Sequence, residues 1–266
     1  MHSNTSRALV TGASSGLGAA LAQRLAAHGC EVWLAARRAD RLEAQVRAIR
    51  EAGGRAHALV LDVGDSDATF ARLSELDRET GGMDMVIANA GVAGLPASIP
   101  LSRASWQNTS SILRVNLCGA VASFAPFIAG MLERGHGHLV GISSIAAEFP
   151  NPRTPVYGAS KAGLSFLLKS IDMELRPRGI PVTIVEPGFV RTEAADGVDE
   201  PMPFILETDA AVARIERAIQ RRARMLRFPW QWTMLLRCVA QLPAAVSGPL
   251  IRRLSAAPEL STAERT

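Results

Sequence analysis

Short apolar runs alternate with longer amphipathic segments along most of this chain. Runs of this length, bounded by Gly, Pro and Asp, are typical of strands that are buried on both faces of a sheet. Regular alternation of strand and helix predicts βαβ units, and therefore a parallel sheet with helices on both faces. The strand-like runs are RALV, EVWLAA, AHALVLDV, MDMVIANA, GHLVGIS and PVTIVEP.

The segments between these runs carry apolar residues at spacings of three and four, which predicts helices over 16–27, 40–52, 67–80, 111–133 and 156–178. We expect an α/β fold with a doubly wound parallel sheet of the Rossmann type. Its ligand crevice should lie at the carboxyl ends of the strands. A chain of 28.3 kDa can bury one substantial core, so we predict a single catalytic domain over 1–227 and an extension over 228–266.

The region before and within the extension is strongly basic. Residues 209–226 predict a helix, and the segment 211–254 holds nine arginines against Glu216 alone, a net charge of +8 in a chain whose total is +4. Such asymmetry favours an anionic partner. Aromatic residues are only 5% of the chain and show no base-stacking pattern, so we expect a membrane surface and no nucleic acid. An ordinary solvated helix is the alternative.

Within the extension, apolar residues recur at helical spacing beside tryptophan and arginine, and no strand of ordinary length is expected. The run is too short and too often broken by proline to cross a bilayer, which needs about 20 consecutive apolar residues. Such a helix suits the headgroup zone of a membrane, but its apolar face would equally pack on the sheet domain or on a second subunit. The members of this face are Trp232, Leu235, Leu236, Val239 and Leu242.

The three cysteines, Cys30, Cys118 and Cys238, lie far apart and form no CxxC motif, so the sequence suggests neither a disulfide framework nor a zinc site. The histidines lack metal-ligand spacing, and we expect no metal. A strand-like run begins within a few residues of Met1 and leaves no room for a signal peptide. We therefore expect a cytoplasmic location, on the inner face of a membrane if the extension binds one.

A glycine-rich turn follows the first strand-like run. Gly12, Gly16 and Gly18 lie where a strand becomes a helix, so the backbone can approach a pyrophosphate closely. The helix N-terminus offers free N–H groups to the phosphate charge. A second strand about twenty residues later completes the context that dinucleotide binding requires.

The end of that second strand lacks the Asp or Glu that would hold the ribose 2′-hydroxyl of NAD. Ala36, Arg37 and Arg38 stand there instead. A guanidinium pairs with a phosphate through two parallel hydrogen bonds. The sequence therefore favours NADP(H), with Arg37 as the main contact and Arg38 and Ser14 as helpers. The alternative is that both arginines simply begin the next helix at the surface.

The chain's only tyrosine, Tyr157, stands four residues before Lys161, a spacing that puts both side chains on one face of a helix. A free phenol has a pKa of about 10, which must fall by about three for proton exchange near neutrality. We expect the Lys161 ammonium and a cationic nicotinamide to lower the pKa of Tyr157. Ser144 follows a strand at the same sheet edge, where its hydroxyl can hold a carbonyl oxygen that Tyr157 protonates.

Taken in order, these motifs resemble the short-chain dehydrogenase/reductase family over residues 7–192. TGASSGLG resembles its glycine loop, Asp62 and Val63 the pair that contacts adenine, and NAGV the element after the fourth strand. RVNLCG has Asn116 at the family's active-site asparagine, and PGFVRT resembles the stretch that cradles the nicotinamide. The cofactor contacts that the resemblance implies are Gly12, Ser14, Ser15, Gly16, Leu17, Gly18, Arg37, Arg38, Asp62, Val63, Asn89, Ala90, Gly91, Tyr157, Lys161, Pro187, Gly188, Val190 and Thr192.

The resemblance implies hydride transfer between NADP(H) and the carbon of a carbonyl or secondary alcohol. Tyr157 would be the acid or base, and Lys161 would lower its pKa and orient the ribose. Ser144 would position the carbonyl, while Asn116 would support a water in the proton path. Family members with apolar, basic extensions include membrane-attached reductases of lipids and steroids, so the resemblance suggests a hydrophobic substrate of that type.

The loop after Thr192 is predicted to form a substrate lid over about 189–208. Its apolar residues Met202, Pro203, Phe204, Ile205 and Leu206 either line the lid or anchor it to the core. The C-terminal sequence departs from the segment that builds tetramers in many family members, so we expect a homodimer. Two alternatives to the enzyme stay open, a catalytically idle nucleotide-binding sensor or scaffold and a peripheral membrane protein whose basic tail is the function.

Overall fold

The computed structural model describes residues 6–93, 105–192 and 204–254 of the chain. Nine strands lie in this part, and all of their pairings are parallel. They are β1 (Arg7–Thr11), β2 (Glu31–Ala36), β3 (Arg55–Val60), β4 (Met85–Ala88), β5 (His138–Ile142), β6 (Val182–Pro187), β7 (Val190–Arg191), β8 (Leu206–Glu207) and β9 (Met225–Phe228).

Seven of these strands form one sheet in the order β3-β2-β1-β4-β5-β6-β9, and β7 pairs with β8 in a separate small ribbon. The strand order reverses between β1 and β4. In an open α/β sheet, this reversal opens a crevice beyond the carboxyl ends of the strands. The predicted doubly wound parallel sheet is confirmed.

The helices connect the strands and cover both faces of the sheet. A π-helical turn (Arg114–Gly119) joins α4 to α5, and short 3-10 turns cover Ile145–Ala147 and Arg176–Arg178. The α-helices are α1 (Gly16–Ala27), α2 (Ala39–Glu51), α3 (Ser66–Thr80), α4 (Trp106–Leu113), α5 (Ala120–Arg134), α6 (Pro155–Leu175), α7 (Thr208–Gln220), α8 (Trp230–Ala240) and α9 (Ala244–Leu254).

The core has two layers, one on each face of the sheet. On one face, α3, α5 and α6 bury side chains that include Leu73, Phe127 and Leu168. On the other face, α1, α2 and α7 bury Leu21, Leu42 and Ile215. Each such side chain contributes about 1.5–3 kcal/mol by leaving water, so the two layers together hold the crevice-forming strands in place.

One helical stretch of the described residues, Trp106–Arg134, is long and apolar enough to cross a membrane by length and composition, and half of its apolar 18-residue window is buried inside the fold. It consists of α4, the π-helical turn and α5. Phe124, Phe127 and Met131 lie in the core against the sheet. The stretch therefore has the burial of a core helix.

The predicted helix over 209–226 is wrong at its end, and the seventh strand of the sheet was missed. The helix ends at Gln220, after which Arg222 adopts a left-handed φ of 50° and Ala223 N–H donates to Ala218 O at 2.9 Å. This is a common way to terminate a helix. Residues Met225–Phe228 then pair with β6 as β9, so the predicted boundary after residue 227 falls inside a strand of the main sheet.

The extension forms α8 and α9 after this strand. Of its predicted apolar face, Val239 is buried, whereas Leu235 and Leu242 are exposed. The side chains of Trp232 and Leu236 lie outside the described residues. The predicted face therefore does not point in one direction. The apolar residues that are exposed here are Trp230, Met234, Leu235, Leu242, Val246 and Leu250.

The predicted lid is described only at its two ends. Val190 in β7 pairs with Leu206 in β8, and Leu206 packs against the core. Phe204 is 55% exposed. Met202 and Pro203 lie outside the described residues, so the lid stays a prediction.

Candidate active site

The glycine-rich turn between β1 and α1 is closed by β4. A Cβ atom on Gly18 would lie 2.4 Å from Asn89 Nδ2 and 2.5 Å from Gly12 O, and Gly12 itself has φ +68°. Asn89 Nδ2 donates to Thr11 O at 2.9 Å, so its side chain fixes the turn as well as facing the crevice. Glycine is required here because there is no space for a side chain between the turn and the next strand.

The N-terminus of α1 points its free backbone N–H groups toward this turn. Ser15 is the N-cap residue, its side chain makes no capping hydrogen bond, and the first turn of the helix contains no acidic residue. A helix N-terminus with these properties attracts phosphate through its N–H groups and its dipole. The turn therefore fits a pyrophosphate.

Arg38 crosses from the end of β2 to the glycine-rich turn. Its Nη2 donates to Ser14 Oγ at 3.0 Å and to Ser15 Oγ at 2.8 Å. Arg37 also lines the crevice, but no contact of this kind with the turn is seen for it. Between the two arginines, the structure brings Arg38 to the turn, whereas Arg37 was expected to be the main contact.

The crevice is a cavity of about 320 Å³ beyond the carboxyl ends of β1, β2 and β4. It contains most of the predicted cofactor residues: Gly12, Ser14, Ser15, Gly16, Leu17, Gly18, Arg37, Arg38, Asp62, Val63, Asn89, Ala90, Gly91 and Thr192. Tyr157, Lys161, Pro187, Gly188 and Val190 do not line it. Five apolar residues also line the cavity and were not among the predicted contacts, because no motif marks them: Ala35, Ala36, Leu61, Val92 and Val115.

Helix α6 brings Tyr157 and Lys161 together with Ser144. The helix begins at Pro155, which suits a first helical turn. Lys161 Nζ lies 5.9 Å from the centre of the Tyr157 ring, and the Ser144 side chain is close enough to the phenol to act against the rise of its pKa. Ser144 also accepts a hydrogen bond from Ala146 N at 3.1 Å, which fixes its orientation. The predicted acid and its carbonyl-binding neighbour therefore meet in one place.

Burial determines the proton affinities of these groups in the chain by itself. Burial raises the pKa of Tyr157, and the hydrogen bond from Ser144 acts in the opposite direction. Burial also lowers the pKa of Lys161 to about 8, and Lys161 Nζ donates to Ile142 O at 2.9 Å. In the chain without a cofactor, loss of water around the phenol dominates, so the lowering of the Tyr157 pKa by Lys161 and a cationic nicotinamide stays a prediction.

Asn116 lies in the π-helical turn and is fully buried. Its side chain accepts from Val92 N at 2.8 Å and donates to Val92 O at 2.9 Å and to Ser160 Oγ at 3.0 Å. A Cβ on Gly91 would lie 3.2 Å from Lys161 Nζ and 3.3 Å from Asn116 Oδ1, so the lysine and the asparagine are neighbours. Single π-helical turns are frequent at functional sites. The proton-path role of Asn116 stays a prediction.

The stretch after β6 borders the crevice at one point. Thr192 faces Gly16, where an added Cβ would meet the threonine side chain at 3.3 Å. Gly188 N–H donates to Phe228 O at 2.7 Å, and a Cβ there would lie 2.9 Å from Pro229 Cδ. Pro187 and Gly188 thus join the end of β6 to β9, while Val190 is half-buried in β7.

An ionic cluster on the other side of Ser144 was missed by the sequence analysis. Glu186, fully buried on β6, accepts from Arg227 Nε at 2.6 Å, and Arg227 Nη2 donates to Glu148 Oε1 at 2.7 Å. A glutamate inside the otherwise apolar run PVTIVEP was the available signal, since a buried carboxylate requires a partner. Its partner lies in β9, the strand that was also missed.

The family model described as short chain dehydrogenase matches residues 6–202. The chain belongs to the short-chain dehydrogenase family. It is therefore an oxidoreductase, of a family that uses NAD(P)(H). An uncharacterized oxidoreductase of Myxococcus xanthus is 40% identical to this short-chain dehydrogenase over 247 residues, 93% of this chain and 96% of the relative.

Solved structures of short-chain dehydrogenases share the fold. A short-chain dehydrogenase from Sphingobium yanoikuyae in complex with NADPH is 27% identical, with a TM-score of 0.77 over 98% of this chain and 99% of that one. A metagenomic short-chain oxidoreductase in complex with NADP is 31% identical, with a TM-score of 0.68 over 84% of this chain and 96% of that one.

Proposed function

We propose that this short-chain dehydrogenase uses NADP(H) to interconvert a hydrophobic, lipid- or steroid-like carbonyl compound and its secondary alcohol. The observation that carries the cofactor preference is Arg38, whose guanidinium bridges Ser14 and Ser15 at the end of β2, where an NAD site needs a carboxylate. Two related structures hold NADPH or NADP, which supports the same preference.

The residues around the crevice have distinct parts in the proposed reaction. The bound nicotinamide supplies the hydride for reduction and accepts it for oxidation. Ser144 donates a hydrogen bond to the carbonyl oxygen, and Tyr157 gives this oxygen a proton as negative charge develops on it. Lys161, held by Ile142 O, presents its ammonium beside the tyrosinate that remains. In alcohol oxidation, Tyr157 takes the proton back.

The reaction is tested by following NADPH consumption with aldehydes, β-keto esters, steroids and long-chain keto lipids, and by repeating the series with NADH. We expect turnover with hydrophobic ketones, a clear preference for NADPH, and a fall in kcat of roughly 10³-fold in Tyr157→Phe, within the range for loss of a general acid. Equal rates with NADH would refute the cofactor assignment. The absence of turnover with every carbonyl would favour the idle sensor or scaffold.

The substrate preference rests on apolar surface near the cleft. Phe204, within the predicted lid, is exposed, and the two described ends of the lid pair with each other as β7 and β8. The exposed face of α8 and α9 begins directly after β9, and no acidic residue occurs from 228 to 254. We include in the proposal that this face rests on an anionic membrane surface, at the cytoplasmic side.

Flotation with anionic liposomes tests the membrane surface. We expect wild type to float and the double variant Trp230→Gln with Met234→Gln to stay in solution, because both side chains are more than half exposed on α8. The matched control is Val60→Gln with Phe70→Gln, which removes two exposed apolar side chains far from α8 in the sequence, one on the edge strand β3 and one on α3. Wild type that fails to float would end this part of the proposal.

A homodimer is the proposed assembly. Phe166 and Met173 are 74% and 75% exposed, and their spacing of seven puts them on one face of α6. An apolar face of this kind suits a second copy of the chain. Sedimentation equilibrium should give a dimer for wild type and a monomer for Phe166→Glu, whereas a wild-type monomer would contradict the proposal.

A further inference from the structure

The ionic cluster beside Ser144 contains two carboxylates joined by one guanidinium. Arg227 reaches Glu186 at 2.6 Å with Nε and Glu148 at 2.7 Å with Nη2, and Arg237 Nε on α8 lies 3.5 Å from Glu148 Oε2. The Glu186 side chain is fully buried, and those of Glu148 and Arg227 are 14% and 22% exposed. Such a cluster loses much of its hydration, so its stabilising effect on the fold is small or absent.

Glu148 ends the short turn that Ser144 begins. The turn is the 3-10 segment Ile145–Ala147, in which Ala147 N donates to Ser144 O and Glu148 N donates to Ile145 O, both at 3.0 Å. Three residues therefore separate the carbonyl-binding hydroxyl from the carboxylate that Arg227 holds. This short turn is the covalent and hydrogen-bonded link between Glu148 and the backbone that carries the Ser144 side chain.

The same cluster also reaches helix α6. Ser165 Oγ donates to Glu186 Oε1 at 2.8 Å and lies 2.8 Å from Ser143 Oγ, and Ser143 Oγ donates to Lys161 O at 2.9 Å. Glu186 and its partners thus connect the strand end before Ser144 with the helical turn that carries Lys161. The two branches of the cluster approach the reaction centre from both sides.

We propose that Glu148, held by Arg227, is a positioning residue that orients the Ser144 hydroxyl toward Tyr157 and the carbonyl oxygen. This inference rests on the proposed function for its catalytic consequence. None of the cluster residues lines the cofactor cavity, so the effect is confined to the carbonyl side of the site.

The pKa shifts of the two carboxylates agree with the contacts of the cluster. Burial alone raises the pKa of Glu148, but the hydrogen bond and charge of Arg227 hold this pKa below its ordinary value. Burial raises the pKa of Glu186, and Ser165 and Arg227 oppose this increase. Glu148 therefore stays ionised at neutral pH, where an ionic hydrogen bond to Arg227 is strongest.

The test replaces Glu148 by glutamine, which keeps the size of the side chain and an oxygen for Arg227 but removes the charge. The control is Glu79→Gln, which breaks an exposed ion pair with Arg72, 3.3 Å long, on α3. We expect kcat in Glu148→Gln to fall about tenfold, within the range for a misplaced catalytic group. The Kd for NADPH should stay unchanged, and the control should match wild type.

A double-mutant cycle separates positioning from general loosening of the structure. In a Ser144→Ala background, Glu148→Gln should have no further effect on kcat, because the hydroxyl that it orients has gone. The same factor of loss in both backgrounds, or no loss in either, would overturn the proposal.

A second readout needs no substrate, so it separates failure of this inference from failure of the proposed function. The chain has one tyrosine, and its ionisation can be followed by tyrosinate absorbance. The Ser144 hydrogen bond favours tyrosinate, so Glu148→Gln should move the titration of Tyr157 to higher pH, and Ser144→Ala should do the same. A titration unchanged in Glu148→Gln but shifted in Ser144→Ala would refute the positioning role even if no carbonyl substrate had been found.

Discussion

The two sides of the active site are built from different materials. On the cofactor side, the site is formed mainly by backbone groups. Gly12 and Gly18 permit close approach to Asn89, and the N-terminus of α1 faces the cavity. On the carbonyl side, the site is supported by buried and half-buried charged side chains, with Arg227 hydrogen-bonded to both Glu186 and Glu148. The comparison teaches that the cofactor side depends on the absence of side chains, whereas the carbonyl side depends on a balance of charge.

The largest expected effect tests the backbone side. Gly18→Ala puts a methyl group 2.4 Å from Asn89 Nδ2 and 2.5 Å from Gly12 O. Because Gly12 O is a backbone atom, it cannot move away without a large cost in free energy. We expect the free energy of unfolding to fall by about 3 kcal/mol, with loss of NADPH binding. Urea unfolding and cofactor titration measure both. Gly248→Ala is the matched control, since no atom lies within 4 Å of its Cβ position, and it should leave stability unchanged or slightly raised.

The next prediction concerns Lys161, at the junction of the two sides. Its folded pKa of about 8 lies below the ordinary 10.5, so between these values the unfolded chain binds more protons than the folded chain. Stability must then rise with pH in this window. From pH 8 to pH 10, wild type should gain about 2 kcal/mol relative to Lys161→Met.

Urea unfolding of both proteins across this range measures the difference. A pH-independent difference would show that Lys161 keeps its ordinary pKa in the fold. Since Tyr157 is present in both proteins, its own ionisation cancels in the comparison only while Lys161→Met leaves the phenol buried. Tyrosinate absorbance of the variant supplies that control.

A smaller effect tests the charge balance of the carbonyl side. Arg227→Lys keeps the charge, but a single ammonium cannot present the two separate donors that reach Glu186 and Glu148. We expect a loss of about 1.5 kcal/mol in the free energy of unfolding. Arg72→Lys, at the exposed pair with Glu79, should change stability by less than about 0.5 kcal/mol. Equal effects at the two sites would remove the contrast between them.

The smallest expected effect is on the KM for NADPH and tests which arginine of the cofactor side recognises it. Arg38→Ala should raise the KM for NADPH about tenfold, or about 1.4 kcal/mol, and leave the KM for NADH unchanged. Arg37→Ala should have a weaker effect because Arg38 is the arginine that reaches Ser14 and Ser15. Arg47→Ala, an exposed position on α2, is the control. If Arg37→Ala raised the KM for NADPH more than Arg38→Ala, Arg37 would be the main contact, as the sequence predicted.

The cofactor side could be predicted from the sequence because its requirements are local. Glycine at 12, 16 and 18, arginine at 37 and 38, and the bounds of α1 all follow from residues close together in the chain. The doubly wound parallel sheet also followed from the alternation of strand and helix, since each βαβ unit is formed by neighbouring segments. The main part of the fold and the cavity therefore needed no information from distant contacts.

The carbonyl side could not be predicted in the same way. Met225–Phe228 carries no turn signal that separates it from the helical pattern before it, and it becomes a strand because it can pair with the edge of β6. Arg227 meets Glu148 across 79 residues, a pairing that no local pattern records. The burial that raises the pKa of Tyr157 could not be predicted either, because the spacing to Lys161 shows proximity but not the degree of burial.

The place of Arg227 in β9 sets the order in which a growing chain can complete its two sides. All residues of the cofactor cavity except Val115 and Thr192 come from the first 92 residues, whereas the guanidinium that holds Glu148 comes from residue 227. Synthesis proceeds at about 5–20 residues per second from the N-terminus. The nascent protein therefore contains most of its cofactor cavity several seconds before Arg227, the proposed anchor of Glu148 and Ser144, has been made.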